Sequence, residues 1–182
     1  MFMHMVFEEV MRTQAQLTTP GAEIYVRPIQ GVDADRQLAA IDELIALGIN
    51  GLALSPAADE RVRARVRELS PKIPVVTFNT DLPESGRLCY VGPDNYAFGR
   101  ASAGLMNLLL AGKGSVLVVG GQENNLAHRQ RVDGFRDEAE SQFPGLELLP
   151  TENCGDDQKL AHDIVCRALR EHPDLGGVYI SV

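Results

Sequence analysis

The stretch IPVVTFNTDLPESGRLCYVGPDNYAFGR, residues 73–100, decides the fold, because it reads as a strand, a polar loop, a second short strand and the start of a helix. Residues 73–78 are rich in β-branched side chains, in a run long enough for a buried parallel strand and too short for a helix. Asn79, Thr80 and Asp81 follow it directly. Ligands bind beyond the carboxyl ends of strands in open α/β sheets, so we predict that this loop contacts a small polar molecule. An Asx-type turn is the alternative interpretation.

Helical and strand-like segments alternate on both sides of this stretch. Amphipathic spacing predicts helices at residues 2–17, 35–47, 59–69, 95–110, 128–142 and 158–170. Apolar runs predict further strands at residues 23–27, 50–54, 88–91, 115–119, 146–149 and 177–181. Strands separated by helices indicate βαβ units, so the sequence predicts an α/β fold with parallel sheets and right-handed crossovers. Within the helix at 95–110, we expect the core face to carry Leu105, Leu108 and Leu109.

Composition indicates a globular chain that does not bind nucleic acid broadly. The 182 residues are 45% hydrophobic, which is enough to bury a sizeable core, and the net charge of −8 with a pI near 5.0 disfavours a phosphate-binding face. The cysteines are Cys89, Cys154 and Cys166, which form no CxxC pair. Their odd number favours reduced thiols in the cytoplasm. The first residues lack a secretory signal, and no apolar run approaches the roughly 20 residues of a membrane span.

Both ends of the sequence are unusual for a doubly wound domain. It opens with an amphipathic helix that no strand precedes, and it closes within the strand-like run GGVYISV. Each such helix normally covers a strand, so we expect a fold truncated at both ends. An exposed sheet edge or a partner chain is then expected.

Motifs for catalysis and metal binding are weak, and we expect no enzyme, cofactor or metal site. VLVVGG ends in two glycines without the third glycine of a dinucleotide fingerprint, and AGKGS precedes its strand instead of following it. Cys154, His162 and Cys166 could be drawn as metal ligands, but a buried cysteine beside an ordinary helical histidine is the simpler interpretation. No serine lies in a nucleophile elbow.

Polar residues at strand ends and helix starts remain as candidate ligand contacts. Asp94 can cap its helix, or it can face the loop that follows residue 78. Arg131 lies in the first turns of a helix, where the helix dipole opposes a cation, so it needs a partner. That partner is either a sugar or sugar acid gripped by the planar guanidinium, or a carboxylate of the same helix, Asp133 or Glu138. Asp156 begins the last helix, as an N-cap first and a ligand contact second.

Five segments in order resemble the effector-binding core of lactose-repressor-family transcriptional regulators, which is similar to periplasmic ribose-binding proteins. The segments are DADRQLAAIDELIALGINGLALSPA, IPVVTFNTD, YVGPDNYAFGR, the RxxGF element that starts at Arg131, and REHPDLGGVYIS. The resemblance covers nearly the whole chain. It implies a periplasmic-binding-protein-like type I fold, with two Rossmann-like lobes at residues 1–92 and 93–182 and a small ligand in the cleft between them.

The resemblance also assigns site residues by matching position. Asn79 matches the position of a sugar-binding acid in the family. Asp94 matches the first polar contact of the second lobe, and Arg131 matches the arginine that binds the sugar. Phe2 matches an aromatic residue at the edge of the cleft. Some positions depart from the ribose binders: asparagine replaces the usual aspartate at Asn79, Thr80 replaces an arginine, and Asp156 replaces a stacking aromatic. An ordinary ribose ligand is therefore not expected.

From these observations we predict a sugar-binding effector domain of a transcriptional regulator, closed by its ligand about a hinge. The resemblance implies a homodimer that contacts operator DNA only through a helix-turn-helix domain outside this sequence. A sugar-binding receptor of an ABC transporter is the alternative, because it shares both lobes. Free cysteines and the segment GRASAGLMNLLLAGKGSVLVVGG favour the cytoplasmic regulator.

Overall fold

A computed structural model describes residues 2–16, 23–29 and 31–182, except for the side chains of residues 2–4 and 15. The helices are α1 (Phe2–Gln16), α2 (Ala34–Ala46), α3 (Glu60–Leu69), α4 (Asn95–Leu109), α5 (Leu126–Gln142) and α6 (Gln158–Glu171). The strands are β1 (Leu52–Leu54), β2 (Val75–Phe78), β3 (Cys89–Val91), β4 (Gly114–Gly120), β5 (Leu146–Leu148), β6 (Glu152–Asn153) and β7 (Leu175–Ile180).

The first sheet has the order β1-β2-β3, and both of its pairings are parallel. Its core lies on the face covered by α2 and α3, where these buried side chains meet: Ile41, Leu44, Leu52, Leu54, Val62, Val66, Leu69 and Val75. We call this sheet and helices α1 to α3 the first lobe. The four arginines of α3 face solvent or acidic neighbours, as Arg61 does with Asp35 and Asp59.

The second sheet is built around β4, which pairs in parallel with β5 and β6 along one edge and with β7 along the other. Helices α4 and α5 cover one face of β4, and α6 covers the other. We call this sheet and helices α4 to α6 the second lobe. The two sheets lie on opposite sides of the boundary predicted at residue 92, and the predicted α/β architecture with parallel sheets is confirmed.

Side-chain caps explain where the helices begin. In each of α2 to α6, the residue before the first turn has an extended backbone, and its side-chain oxygen accepts a hydrogen bond from a backbone N–H two or three residues ahead. The caps are Asp33, Asp59, Asp94, Asn125 and Asp157. Because a cap satisfies an otherwise unpaired N–H group, these short polar residues determine the helix starts from local sequence.

Helices α4 and α5 pack unusually closely, and this corrects the prediction about the leucines of α4. A Cβ atom on Gly99 would lie 2.2 Å from the carbonyl oxygen of Arg131, and one on Gly134 would lie 2.1 Å from that of Tyr96. Small residues therefore form the inward face of α4, together with Ala103. The predicted core residues are exposed instead, by 58%, 76% and 73% at Leu105, Leu108 and Leu109.

Two strand predictions differ from the structure. Residues 23–29 pair with no strand among the described residues, so the strand predicted at residues 23–27 is not formed there. The short strand β6 was not predicted, since its two residues carry no periodic signal of their own. It forms because β4 extends past β5 and offers free backbone groups there.

Candidate functional site

A groove of about 1520 Å³ runs along the first lobe and reaches the start of the second. At the carboxyl end of β2 it is lined by Asn79 and Thr80 of the first lobe. Opposite them lie the second-lobe residues Gln122, Asn125 and Asp156. Amide, hydroxyl and carboxylate groups from both lobes therefore line one space. In a binding site, a few polar groups of this kind orient a polar small molecule.

Asn79 is held by its backbone in a left-handed conformation, with φ of 61°. Its N–H donates to the carbonyl oxygen of Val91 at 3.1 Å, and its own carbonyl oxygen accepts from the hydroxyl of Tyr90 at 3.1 Å. Asparagine tolerates this conformation better than most residues. The turn at the end of β2 thus presents the Asn79 side chain, whose Nδ2 lies 3.5 Å from Ser55 Oγ, to the groove.

The two lobes touch across the mouth of the groove through the loop before α5. Thr80, which is 3% exposed, places its Oγ1 3.4 Å from Asn125 Oδ1. The neighbouring Asn124 donates from Nδ2 to the carbonyl oxygen of Val32 at 3.0 Å, and its carbonyl oxygen accepts from the N–H of Ala58 at 3.3 Å. These contacts hold the loop of the second lobe against the first lobe, so the groove is closed on that side.

Asp81 lies outside the groove and orders the loop between β2 and β3. Its carboxylate pairs with the guanidinium of Arg87 and accepts from Thr77 Oγ1 at 2.9 Å and from the N–H of Leu82 at 2.7 Å. Burial opposes ionisation of this carboxyl, but the hydrogen bonds from Arg87, Leu82 and Thr77 outweigh it and lower the pKa of Asp81. The observed contacts are therefore structural, and contact with a ligand stays a prediction.

Asp94 caps α4 by accepting from the N–H of Ala97 at 2.9 Å, and it does not line the groove. The next residue, Asn95, is 3% exposed and accepts from Arg131 Nε through Oδ1 at 2.8 Å. Asn95 Nδ2 lies 3.4 Å from the Tyr90 hydroxyl. A chain of hydrogen bonds therefore joins the first-lobe turn to α5. Arg131 therefore pairs with Asn95, while the capping bond turns the Asp94 carboxylate toward its own helix.

Arg131 is half-buried at the junction of α4, α5 and the end of β7. Its Nη1 donates to the carbonyl oxygen of Ser181 at 3.1 Å, and its guanidinium carbon lies 5.5 Å from the ring centroid of Phe98. Neither carboxylate of the alternative interpretation pairs with it, and Glu138 binds Arg100 instead at 2.6 Å. Arg131 does not line the groove in this form of the protein. It lies one helical turn beyond His128, whose Nε2 is 3.3 Å from Nδ2 of the groove-lining Asn125.

Asp156 and His128 form a polar pair at the second-lobe end of the groove. Asp156 has a left-handed backbone with φ of 65°, and its Oδ1 accepts from the N–H of Gln122 at 3.3 Å. His128 Nδ1 lies 3.4 Å from the same oxygen. A Cβ atom on Gly121 would come within 2.4 Å of both groups, so only glycine at that position permits the pair. The N-cap of α6 is Asp157, which leaves Asp156 to the groove.

Comparisons with known proteins identify the family. The model of the family described as the periplasmic binding protein domain matches residues 6–182. The chain belongs to this family. A solute-binding protein of an ABC transporter from Burkholderia graminis, solved in complex with D-arabinose, is 28% identical with a TM-score of 0.80, and the match covers 86% of this chain and 54% of that one. This binding-protein domain therefore spans about half the length of that relative.

Other solved structures share the fold of this binding-protein domain. A sugar-binding protein of a sugar ABC transporter from Bacillus halodurans is 28% identical with a TM-score of 0.71, covering 81% of this chain and 51% of that one. The fructose-binding periplasmic domain of a hybrid two-component system is 24% identical with a TM-score of 0.86, covering 97% and 58%. No curated protein sequence matches the chain. Across the described residues, every helix is too short or too polar to span a membrane.

Phe2, the remaining predicted site residue, begins α1, but its side chain lies outside the described residues. Sequence reasoning missed Tyr90, Asn95, Gln122 and Asn125 as members of this region. Tyr90 and Asn95 lie in YVGPDNYAFGR, a segment that carries the family resemblance and the cap Asp94 but gives these two residues no predicted role. Gln122 and Asn125 lie in QENN, which was considered only as a departure from a dinucleotide fingerprint. A search for polar residues after every strand, rather than after β2 alone, finds Gln122 and Asn125, which follow β4. Tyr90 lies within β3 and Asn95 within α4, so their roles depend on the packing.

The burial of His128 predicts a loss of stability in mild acid. Burial and the nearby Arg131 lower the pKa of His128, while Asp156 partly opposes this shift. Below the ordinary histidine pKa of about 6.5, the unfolded chain then binds a proton that the folded domain does not, so stability falls as the pH falls. Urea unfolding at neutral pH and at about pH 5.5 should show a smaller loss for His128→Gln than for the unmodified protein.

The control for this prediction is His162→Gln, at a surface histidine of α6 whose side chain is 74% exposed. It should leave the pH dependence of stability unchanged. An equal loss of stability in the unmodified protein and in His128→Gln would contradict the assigned role of His128.

Proposed function

We propose that this domain binds a monosaccharide between its two lobes and is part of a sugar receptor of an ABC transporter. The observation that carries the proposal is the set of polar side chains from both lobes that face one groove: Asn79, Thr80, Gln122, Asn125 and Asp156. Amides and carboxylates pair well with the adjacent hydroxyl groups of a sugar. Two of the similar structures are sugar- or solute-binding proteins of ABC transporters, and one of them holds D-arabinose.

Binding is coupled to the position of the lobes in this proposal. Asn79 belongs to the first lobe, and Arg131 belongs to the second. Within the described residues, the hydrogen bonds of the Arg131 guanidinium involve Nε and Nη1, so Nη2 is available for a sugar hydroxyl. A ligand that bridges Asn79 and Arg131 favours the closed arrangement by its higher affinity for that arrangement. Turnover of the ligand is not part of this function.

Calorimetric titration of D-arabinose and D-fructose tests the proposal, and Asn79→Gly is the informative variant. Glycine adopts the left-handed backbone of this turn without strain, so the substitution removes the amide side chain and keeps the turn. Loss of one or two hydrogen bonds to a sugar should cost about 1 to 2 kcal/mol, or roughly 5- to 30-fold in Kd.

Glu84→Gly is the matched control, because Glu84 is also left-handed, with φ of 60°, and lies outside the groove. It should leave the affinity unchanged. Failure of the unmodified protein to bind any of a panel of pentoses and hexoses would remove monosaccharides as the ligand class. Equal affinity of Asn79→Gly and the unmodified protein would place the sugar elsewhere.

The effector-binding domain of a lactose-repressor-type regulator is the second candidate. The observation that favours it is the set of free thiols, among them the exposed Cys89, which suit a reducing cytoplasm. This candidate carries with it a cytoplasmic location, a homodimer, and operator DNA bound through a helix-turn-helix domain outside this sequence. Sequencing the coding DNA upstream distinguishes the two: an in-frame helix-turn-helix segment supports the regulator, and an export signal supports the transport receptor.

A further inference from the structure

Asn124 joins the two lobes without lining the groove. It lies in the loop between β4 and α5, and its Nδ2 donates to the carbonyl oxygen of Val32 at 3.0 Å. Its own carbonyl oxygen accepts from the N–H of Ala58 at 3.3 Å. Val32 and Ala58 each precede a helix cap, Asp33 for α2 and Asp59 for α3. One residue of the second lobe is therefore bonded to the starts of two helices of the first lobe, and we call these two hydrogen bonds the latch.

The loop that carries the latch is braced by its own lobe. The N–H of Asn125 donates to the carbonyl oxygen of Gln122 at 3.1 Å, which closes a turn around the latch residue. The N–H of Gln122 donates to Asp156 Oδ1 at 3.3 Å, and Asn153 Nδ2 donates to Glu123 Oε1 at 2.8 Å. Because this turn is already ordered, the latch forms without the entropic cost of fixing the loop.

The latch is separate from the covalent connection between the lobes. The chain crosses from the first lobe to the second at residues 92–94, between β3 and α4. When the lobes turn about this crossover to open the groove, the bonds between Asn124 and the first lobe have to break. Such hydrogen bonds are exchanged for bonds to water on opening, so each contributes only modestly to the closed form. The latch therefore favours closure while leaving the open form populated.

We propose that Asn124 is a positioning residue that holds the two lobes closed in the absence of ligand and thereby raises the affinity of the groove. A ligand that binds only the closed form has an apparent Kd equal to its intrinsic Kd divided by the fraction of closed protein. Because the latch raises that fraction before binding, less of the binding free energy is lost to closure. The link to affinity rests on the proposed binding of a sugar between the lobes, whereas the closed ligand-free form does not.

Pulsed EPR on the ligand-free protein tests the closed form directly. One spin label is placed on the native Cys166 of α6 and the other on Ala39→Cys, at an exposed position of α2, in a Cys89→Ser background. The buried Cys154 stays unlabelled. We expect Asn124→Ala to raise the ratio of open to closed protein by about 2- to 10-fold, since it removes one hydrogen bond of the latch.

Calorimetry with whichever of D-arabinose and D-fructose binds then measures the consequence for affinity. The Kd of Asn124→Ala should rise by the factor by which its closed fraction falls. Asn107→Ala is the matched control, because Asn107 is also an asparagine of the second lobe and its side chain makes no hydrogen bond within the described part of the chain. It should change neither the distances between the labels nor the Kd.

The two measurements separate this proposal from the proposed function. Two populations of label distances whose ratio shifts in Asn124→Ala, together with the matching rise in Kd, support the latch. The same distance distribution in Asn124→Ala and the unmodified protein would overturn it, and a lower closed fraction with an unchanged Kd would overturn its role in affinity. If the unmodified protein binds no sugar, the proposed function fails, and the label distances still decide whether Asn124 holds the lobes closed.

Discussion

Arg131→Ala should weaken sugar binding by about 2 to 4 kcal/mol, or roughly 30- to 1000-fold in Kd, measured by calorimetry with whichever of D-arabinose and D-fructose the unmodified protein binds. The guanidinium is half-buried, and two of its nitrogens are already fixed by Asn95 and Ser181 at 2.8 and 3.1 Å. A sugar that bonds to the remaining amino group therefore meets a donor whose orientation is set before binding. Such preorganised, charge-assisted hydrogen bonds are among the strongest single contacts.

Two further variants separate binding from folding. Arg131→Lys keeps the charge but loses the planar fork, so it should recover only part of the affinity. Arg129→Ala removes an exposed guanidinium two positions earlier on α5 and should leave Kd unchanged. Because Asn95 is buried and loses its donor in Arg131→Ala, thermal unfolding must accompany the titration. Unchanged affinity in a folded Arg131→Ala protein would remove this residue from the site.

Phe135→Ala should reduce the free energy of unfolding by about 3 to 5 kcal/mol in a urea titration. Phe135 is fully buried in the core of the second lobe, and its ring stacks on Tyr179 with centroids 4.1 Å apart and planes 7° from parallel. Truncation removes the transfer free energy of the ring, leaves a cavity and ends the stacking. This is a large part of the roughly 5 to 15 kcal/mol that stabilises a typical domain.

Leu108→Ala is the control for that measurement, since Leu108 is 76% exposed on the outer face of α4. It should change stability by no more than about 0.5 kcal/mol. If Phe135→Ala does not fold, Phe135→Leu gives a smaller loss of the same sign. A loss below about 1 kcal/mol for Phe135→Ala would mean that the α4–α5–β4 core can close over the missing ring.

Local chemistry accounts for the parts of the site that the sequence predicted well. Asn79 and Thr80 line the groove because they follow a strand whose β-branched run is unambiguous, and ligands meet parallel sheets at that end. Asp94 begins α4 because its carboxylate satisfies an N–H group of its own helix. The family resemblance to periplasmic binding proteins is confirmed, while the specific regulator family is not shown by the comparisons.

The partner of Arg131 could not be predicted in the same way. Its position at the start of a helix correctly indicated a need for a partner, but the protein partners that the sequence offered were Asp133 and Glu138. Asn95 takes that role because glycines bring α4 and α5 close together there. The leucines of α4 were misassigned for the same reason, since periodicity identifies an apolar face without saying which neighbour it meets.

The sequence by itself determined the alternation of helices and strands, the helix starts and the polar turn after β2, because each depends on contacts between residues near in the chain. The tertiary structure alone decided which face of α4 is buried, that Asn95 rather than a carboxylate holds Arg131, and that residues 23–29 pair with no described strand. Those outcomes depend on the distance between helices and on the strands available at a sheet edge, which are set by contacts between residues far apart in sequence.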